Sequence, residues 1–196
     1  MALDPSQSDW TNLGASVEAE SLWSSLHDGE IRAIRSDLLS RSLTLEIEVE
    51  HLRRHHGLAE EPFLLEMDGV KSVRATTWAT WPGPRPNAAG LARAEESSLI
   101  EEYWSKWREE SVGWADFEAM FGDGFLDIAD AELVRGDQIV SLRLSGMMKG
   151  DRADERAFEL TLRGSGLAIR QGREGLIDLE RFVRLGEEYW EAWSKG

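Results

Sequence analysis

The feature that most constrains this fold is an alternating pattern of apolar and polar residues that recurs 95 residues further along the chain. Its first occurrence, Leu43 to Glu50, places Leu, Leu, Ile and Val at every second position, with polar residues between them. Such a period of two predicts a strand with one buried face and one wet face. Because the pattern occurs twice, the sequence predicts an internal duplication.

The first repeat is predicted to contain four antiparallel strands, Gly29–Asp37, Leu43–Glu50, Phe63–Met67 and Lys71–Trp78. Asp68-Gly69 is typical of a hairpin turn, and Gly164-Ser165-Gly166 of the second repeat has the same character. A shift of 95 residues places Leu65 on Leu160 and Gly69 on Gly164 without a gap. The matches fall on inward strand positions and on a turn glycine, where a shared fold constrains residue type most.

A second repeated feature is the stretch EEYWSKW at 101–107, which returns as EEYWEAW at 187–193. On a helix of about 3.6 residues per turn, the aromatic residues of each copy fall on one side and the glutamates on the other. We therefore predict an amphipathic helix at each copy, with its Trp face in the core. The predicted fold class is α+β, in which a duplicated unit of four antiparallel strands and one amphipathic helix forms a pseudo-symmetric body.

These elements divide the chain into four parts. Residues 1–21 are predicted to be an N-terminal segment that is partly loose, although Ser16–Leu26 is compatible with a helix. Unit one then covers 22–110, a linker 111–122 and unit two 123–196. The linker carries Trp114, Phe117 and Phe121 at a spacing that favours a short helix. We expect one compact domain, since 196 residues suffice to bury a sizeable core.

The chain is strongly acidic. Lys and Arg number 22 against 37 Asp and Glu, which gives a net charge of −15. Such a chain repels phosphate-rich partners and anionic lipid surfaces but attracts a basic protein, so we expect no nucleic acid and no membrane partner. The sequence opens on no secretion signal and contains no apolar run of about 18 residues, so a cytoplasmic location is expected.

The sequence shows no recognisable motif of nucleophilic catalysis. It contains no Cys, which excludes thiolate nucleophiles, disulfides and Cys-based metal sites. It has no G-x-S-x-G elbow, P-loop or G-x-G-x-x-G, and adjacent carboxylates such as Glu101-Glu102 lie on the outward faces of the predicted helices. We therefore expect a non-enzymatic protein with no catalytic residues and no cofactor.

The clustered histidines lie at 51–56, around Arg53 and Arg54. His51 and His55 have the i,i+4 spacing of two imidazoles that share a metal on a helix, which makes them weak candidate ligands. The two arginines oppose a cation at this position. We interpret the segment as a solvated, locally basic excursion between strands and assign it no metal.

Two tryptophans lie away from the predicted helix stripes. Trp78 ends the fourth strand, and Trp81 opens a proline-rich loop. Either ring could stack on a sugar or another small ligand. They support an alternative function, a small-ligand or carbohydrate receptor that uses exposed Trp between the two units.

One part of the sequence resembles a known family. The stretch LWSSLHDGEI at 22–31 is followed by the alternating strand and then by FLLEMDGV at 63–70. This order is similar to that of a small bacterial immunity family from polymorphic-toxin systems, over residues 22–78. The resemblance implies a compact, non-catalytic α+β domain that neutralises a toxin by covering its active surface. His27 and Asp28 belong to the pattern, whereas unit two has Gly122 in the place of His27.

The leading hypothesis from the sequence is a non-enzymatic acidic protein-binding module, an immunity-like inhibitor of a basic protein. Salt-sensitive binding of one basic protein would favour it, whereas a change of Trp fluorescence on sugar titration would favour the receptor. The candidate binding residues are His27, Asp28, Arg53, Arg54, Trp78 and Trp81.

Overall fold

The computed structural model describes residues 18–37, 39–80, 107–121, 124–149, 156–172 and 175–195. Within them, eleven strands form one antiparallel sheet. The strands are β1 Glu18–Ser21, β2 Glu30–Asp37, β3 Ser42–Glu48, β4 Phe63–Asp68, β5 Ser72–Thr80, β6 Trp107–Val112, β7 Phe125–Arg135, β8 Val140–Lys149, β9 Arg156–Gly164, β10 Gly166–Gln171 and β11 Gly175–Ile177. The helices of this part of the chain are α1 Trp23–Leu26, α2 Glu50–His56, α3 Trp114–Phe121 and α4 Leu179–Lys195.

The alternating residues form the strands that their period predicts. In β3, Leu43, Leu45 and Ile47 are buried, and the residues between them are half-buried. In β4, Phe63 and Met67 continue the same buried face. These side chains belong to one apolar core together with those of β7, β8 and β9. The α+β class is thereby confirmed.

Two meanders of three strands make up the centre of the sheet. The strand order is β11-β10-β4-β3-β2-β7-β8-β9-β5-β6, and β1 pairs with β7 outside this path. The meanders meet where β2 pairs with β7, with Glu30 opposite Asp127 and Ile31 opposite Leu126. Each meander also has one irregularity in its first strand, at Arg32 in β2 and at Ala129 in β7.

The predicted hairpins at Asp68-Gly69 and at 164–166 are wrong. Strand β5 does not pair with β4 but with β9, and β10 does not pair with β9 but with β4. The two connections cross, since the Ser165 N–H donates to the Asp68 carbonyl at 2.8 Å. A Cβ on Gly164 would lie 2.5 Å from the same carbonyl oxygen. The glycines therefore permit the two connections to cross at close range. The hairpin predictions failed because a turn motif indicates a local bend but not which strand pairs with the next one.

The aromatic repeat gives a helix in only one of its copies as far as the structure describes them. EEYWEAW lies in α4, but Trp107 of EEYWSKW begins strand β6, which corrects the predicted helix at that residue. Residues 101–106 lie outside the described part. A strand is stable here because 107–112 pairs along its whole length with β5.

The N-terminal segment and the linker differ in how well they were predicted. Glu18–Ser21 is not helical or loose but forms β1 against β7, and helix begins only at Trp23. The linker contains the predicted helix α3, with Phe117 fully buried. The rings of Trp114 and Phe117 stack at 5.9 Å.

Helix α4 is held close to α1 by a glycine. Phe182 and Leu185 are buried beneath α4, and Phe182 meets Phe63 edge to face at 5.2 Å. A Cβ on Gly186 would lie 2.3 Å from the carbonyl of Ser24, so only glycine permits this approach. The contact places the C-terminal turns of α4 beside the end of α1 and beside α2.

Candidate functional site

The packing of α4 against α1 and α2 places three histidines, His27, His51 and His55, around Tyr189 and Trp190, and a fourth, His56, on the Leu185 carbonyl of α4. The indole N–H of Trp190 donates to the Ser24 carbonyl of α1 at 2.9 Å. The hydroxyl of Ser25 donates to the Phe182 carbonyl of α4 at 2.8 Å. Tyr189 of α4 lies against α2, where it contacts His51 and His55. The four histidines are His27, His51, His55 and His56.

Three rings at the α1 end form a stack. Trp23 stacks on His27 at 4.6 Å and on Trp190 at 5.2 Å, with interplanar angles of 28° and 29°. Trp193 meets Trp190 edge to face at 5.8 Å. Trp23 keeps 38% and Trp193 keeps 68% of its surface exposed. We call Trp23, His27, Trp190 and Trp193 the aromatic surface.

His27 is fixed by the chain's own backbone. Its Nδ1 lies 2.9 Å from the Ala129 carbonyl, so this nitrogen carries a proton and donates it. Its Nε2 lies 3.6 Å from a carboxylate oxygen of Asp28, whose side chain is 68% exposed. Asp28 has a backbone φ of 59° in the left-handed region, which Asp tolerates better than most residues. The two candidate residues His27 and Asp28 thus lie side by side in the turn between α1 and β2.

His51 lies deeper in the same site. Its ring is 4.5 Å from that of Tyr189 and 5.9 Å from that of Trp190. Its Nε2 is buried and has no hydrogen-bond partner among the described residues. Burial lowers the pKa of this imidazole, nearby His27 lowers it further, and the carboxylate of Asp28 acts in the opposite direction.

The predicted basic excursion between strands is the helix α2, which follows β3 and precedes β4. Its one fully buried residue, Leu52, anchors it on the core. His55 meets Tyr189 edge to face at 5.6 Å, and the Nε2 of His56 donates to the Leu185 carbonyl at 2.8 Å. His51 and His55 therefore both face Tyr189. In the described ranges no three His, Asp or Glu side chains are arranged to hold a metal ion.

The two candidate arginines have different surroundings. Arg53 is largely buried, pairs with Glu48 and donates to the Glu60 carbonyl at 2.5 Å. Arg54 is exposed and pairs with Glu50 one turn earlier. Arg53 thus has a structural position, because it ties α2 to β3 and to the loop that leads into β4.

A polar cavity of about 350 Å³ opens beside Asp28. Four carboxylates and two guanidinium groups line it, and the arginines are already paired, Arg32 with Glu30 and Arg53 with Glu48. Arg32 also lies over the ring of Phe125, 4.6 Å from its centroid. The lining residues are Asp28, Glu30, Arg32, Glu48, Glu50 and Arg53.

The other two candidate residues are Trp78 and Trp81. Trp78 is half-buried on β5, between Glu109 of β6 and Ala157 of β9. Trp81 lies outside the described residues. Trp190 and Trp193 were predicted to lie in the core, because a helical wheel places the whole aromatic stripe of the last helix on one face, but Trp193 is largely exposed. Trp23 was part of the family resemblance and was not predicted as a binding residue.

No protein-family model, curated protein or solved structure matches this chain. Among the helices that the structure describes, none is long and apolar enough to cross a membrane. The function is therefore argued from the geometry and charge of the site.

Proposed function

We propose that this protein is a non-enzymatic acidic binding module that engages a basic protein through the aromatic surface. The observation that carries the proposal is the aromatic surface, in which the indoles of Trp23 and Trp193 reach solvent. Trp is enriched among the residues that dominate protein–protein binding energy, because it offers a large, rigid contact area. An exposed stack of this kind is costly to leave in water unless a partner covers it.

Charge supports a basic partner. The net charge of −15 attracts a cationic protein and speeds its association at low ionic strength. Beside the aromatic surface lies the exposed carboxylate of Asp28, next to His27. This carboxylate would orient the partner, while the indoles supply contact area.

An immunity-like role is the form of binding that we propose. Trp23, His27 and Asp28 carry part of the resemblance to the immunity family, and all three lie in or beside the aromatic surface. The histidines of the site are engaged in ring contacts and backbone hydrogen bonds, which supports binding and not proton transfer. The proposed partner is a basic toxin whose active surface this module covers.

We also propose that the two meanders arose by duplication. The irregularities at Arg32 and Ala129 are 97 residues apart, and the same shift carries Glu30 onto its own pairing partner, Asp127. A two-fold relation of the meanders would produce this self-pairing. The shift differs by two residues from the 95 of the sequence pattern, so the inward faces still coincide.

The binding proposal is tested by capture and reconstitution. The immobilised protein is incubated with lysate of the source cells, and captured proteins are eluted by a salt gradient and identified. We expect one basic protein to bind the unaltered chain, to elute with salt and to bind the Trp23→Ala, Trp193→Ala double variant at least about tenfold more weakly when both are purified. Leu39→Ala, which also removes an exposed apolar side chain, is the control. Equal affinity of the aromatic variant and the control would refute the proposal.

A second candidate function, a small-ligand receptor, is favoured by an apolar cavity of about 270 Å³. It lies where β7 and β8 approach β10, β11 and the start of α4, and it includes Leu133, Val140, Leu167 and Ile169. No aromatic ring among the described residues lines it, so its chemistry suits a short aliphatic ligand and not a sugar. Stabilisation of the chain against heat by medium-chain fatty acids, but not by a sugar panel, would favour this function.

A further inference from the structure

We infer that the end of α1 is a receptor for one arginine side chain of the basic partner. The inference rests on the proposed function and deepens it, because it names the residue type that the module recognises. The receptor consists of the outer face of Trp23, the Nε2 of His27 and the carboxylate of Asp28.

The first argument concerns two hydrogen-bond acceptors that face each other. Because the Nδ1 of His27 donates to Ala129, the Nε2 of this ring is an acceptor whenever the imidazole is uncharged. That nitrogen lies 3.6 Å from a carboxylate oxygen of Asp28. No other side chain in the described part of the chain pairs with this carboxylate. A donor group between the two acceptors would satisfy both, and a planar cation with several N–H groups is suited to do so.

The second argument concerns the aromatic face. Trp23 is covered by His27 and Trp190, yet 38% of its surface remains exposed. A cation placed over an indole face is attracted by the negative charge of the π system, and indole is the best of the aromatic rings for this contact. Guanidinium groups also stack flat on aromatic faces, which an ammonium group cannot do.

The third argument concerns the room and charge behind Asp28. The polar cavity has a volume of about 350 Å³, and four carboxylates face only two guanidinium groups in its lining. Arg32 and Arg53 are held by Glu30 and Glu48, so they do not occupy the position beside Asp28. Glu50 pairs with Arg54, so Asp28 is the carboxylate of this lining that has no arginine partner among the described residues, and an incoming arginine would supply one.

Asp28→Asn is the decisive variant. It removes the charge and keeps the shape, and Asn tolerates the left-handed backbone of this position as well as Asp does. Asp137→Asn is the matched control, because Asp137 is an exposed aspartate in the turn between β7 and β8, outside the site. Trp23→Phe both weakens the aromatic contact and identifies the Trp23 indole N–H signal in NMR spectra.

The test uses N-acetyl-arginine amide as the probe, with the lysine and citrulline analogues for comparison. We expect the Trp23 indole signal of the full chain to shift saturably with arginine at millimolar concentration, less with lysine and not with citrulline. Asp28→Asn should weaken binding about tenfold, as expected for a charge-assisted hydrogen bond, and Asp137→Asn should not. Equal binding of citrulline, or equal affinity of the two aspartate variants, would overturn the inference.

The outcome also separates this inference from the proposed function. If the basic partner binds the Asp28→Asn and Asp137→Asn variants equally tightly, the inference of an arginine receptor is wrong, but the proposal of a binding module is unaffected. If the arginine probe saturates the Trp23 signal but no basic protein binds the chain, the receptor stands and the partner proposal is wrong.

Discussion

The two meanders share a strand order but differ in what surrounds them. In the first, β3 and β4 have seven and six residues and are joined through α2, which carries three histidines. In the second, β8 and β9 have ten and nine residues, and the segment between them contains no His. Helix α4 packs on Phe63 of the first meander and against α1 and α2, and α1 in turn contacts β7. The first meander therefore supplies three of the four histidines, through α2, whereas the second supplies the Ala129 carbonyl that holds His27.

The substitution with the largest expected effect tests whether the packing of α4 on the first meander stabilises the fold. Phe182→Ala removes a fully buried ring that contacts Phe63 of β4. We expect a loss of about 3–5 kcal/mol in unfolding free energy, measured by urea denaturation. Leu176→Ala on β11 is the control, because that side chain is mostly exposed and should cost far less. A loss under about 1 kcal/mol for Phe182→Ala would show that α4 is not a part of the core.

A second substitution tests the close approach of α4 to α1. In Gly186→Ala, the new Cβ would lie 2.3 Å from the Ser24 carbonyl, so the helices must separate. We expect a net loss of about 2–3 kcal/mol, although Ala by itself favours a helix more than Gly does. Gly166→Ala introduces a methyl group into open space and should be nearly neutral in the same denaturation experiment. A stabilised Gly186→Ala protein would contradict the packing of the site.

Substitutions of two neighbouring arginines test how α2 is attached to the first meander. Arg53→Gln removes a largely buried guanidinium that pairs with Glu48 and bonds to Glu60, so we expect a loss of about 1–3 kcal/mol. Arg54→Gln breaks an exposed pair with Glu50 and should cost less than about 0.5 kcal/mol. Thermal unfolding of both variants under one condition gives the comparison. Equal losses would mean that α2 is not tied to β3 through Arg53.

The smallest expected effect is a pH dependence of the unfolding free energy that comes from His51 of α2. Burial lowers the pKa of His51, so the unfolded chain binds more protons at this site than the folded one. This contribution to stability is fully present above the unfolded pKa of about 6.5 and is lost as the pH falls below it. The charged or titratable groups that face His51 are His27 and Asp28, and Tyr189 lies against its ring. His51→Gln should therefore lose less stability than the unaltered chain between about pH 7.5 and pH 5.5.

His55→Gln is the control for that measurement, because His55 is exposed on the same helix. It should keep the pH dependence of the unaltered chain. If His51→Gln and His55→Gln respond equally to pH, burial of His51 is not the cause.

Much of the secondary structure was accessible from local patterns. The inward positions Leu43, Leu45 and Ile47 are buried as their alternation predicts, and Phe117 is buried in the predicted short helix. The predicted helix fails at Trp107 because a 3.6-residue stripe of aromatic residues does not exclude a strand where a paired edge is available. Of the candidate site, His27 and Asp28 were found by their pattern. Trp190 and Trp193 were not, because a wheel separates two faces of a helix but does not say how far the core extends along it.

The sequence by itself determined which residues of β3 and β4 face inward, where β2 to β5 and the last helix lie, and how strongly acidic the chain is, because period and charge are local properties. Only the tertiary structure decided that β5 and β10 each pair with the other meander, and that three histidines meet Tyr189 and Trp190. Backbone hydrogen bonds are the same for any pair of strand edges, so the choice of partner depends on contacts between residues about a hundred positions apart.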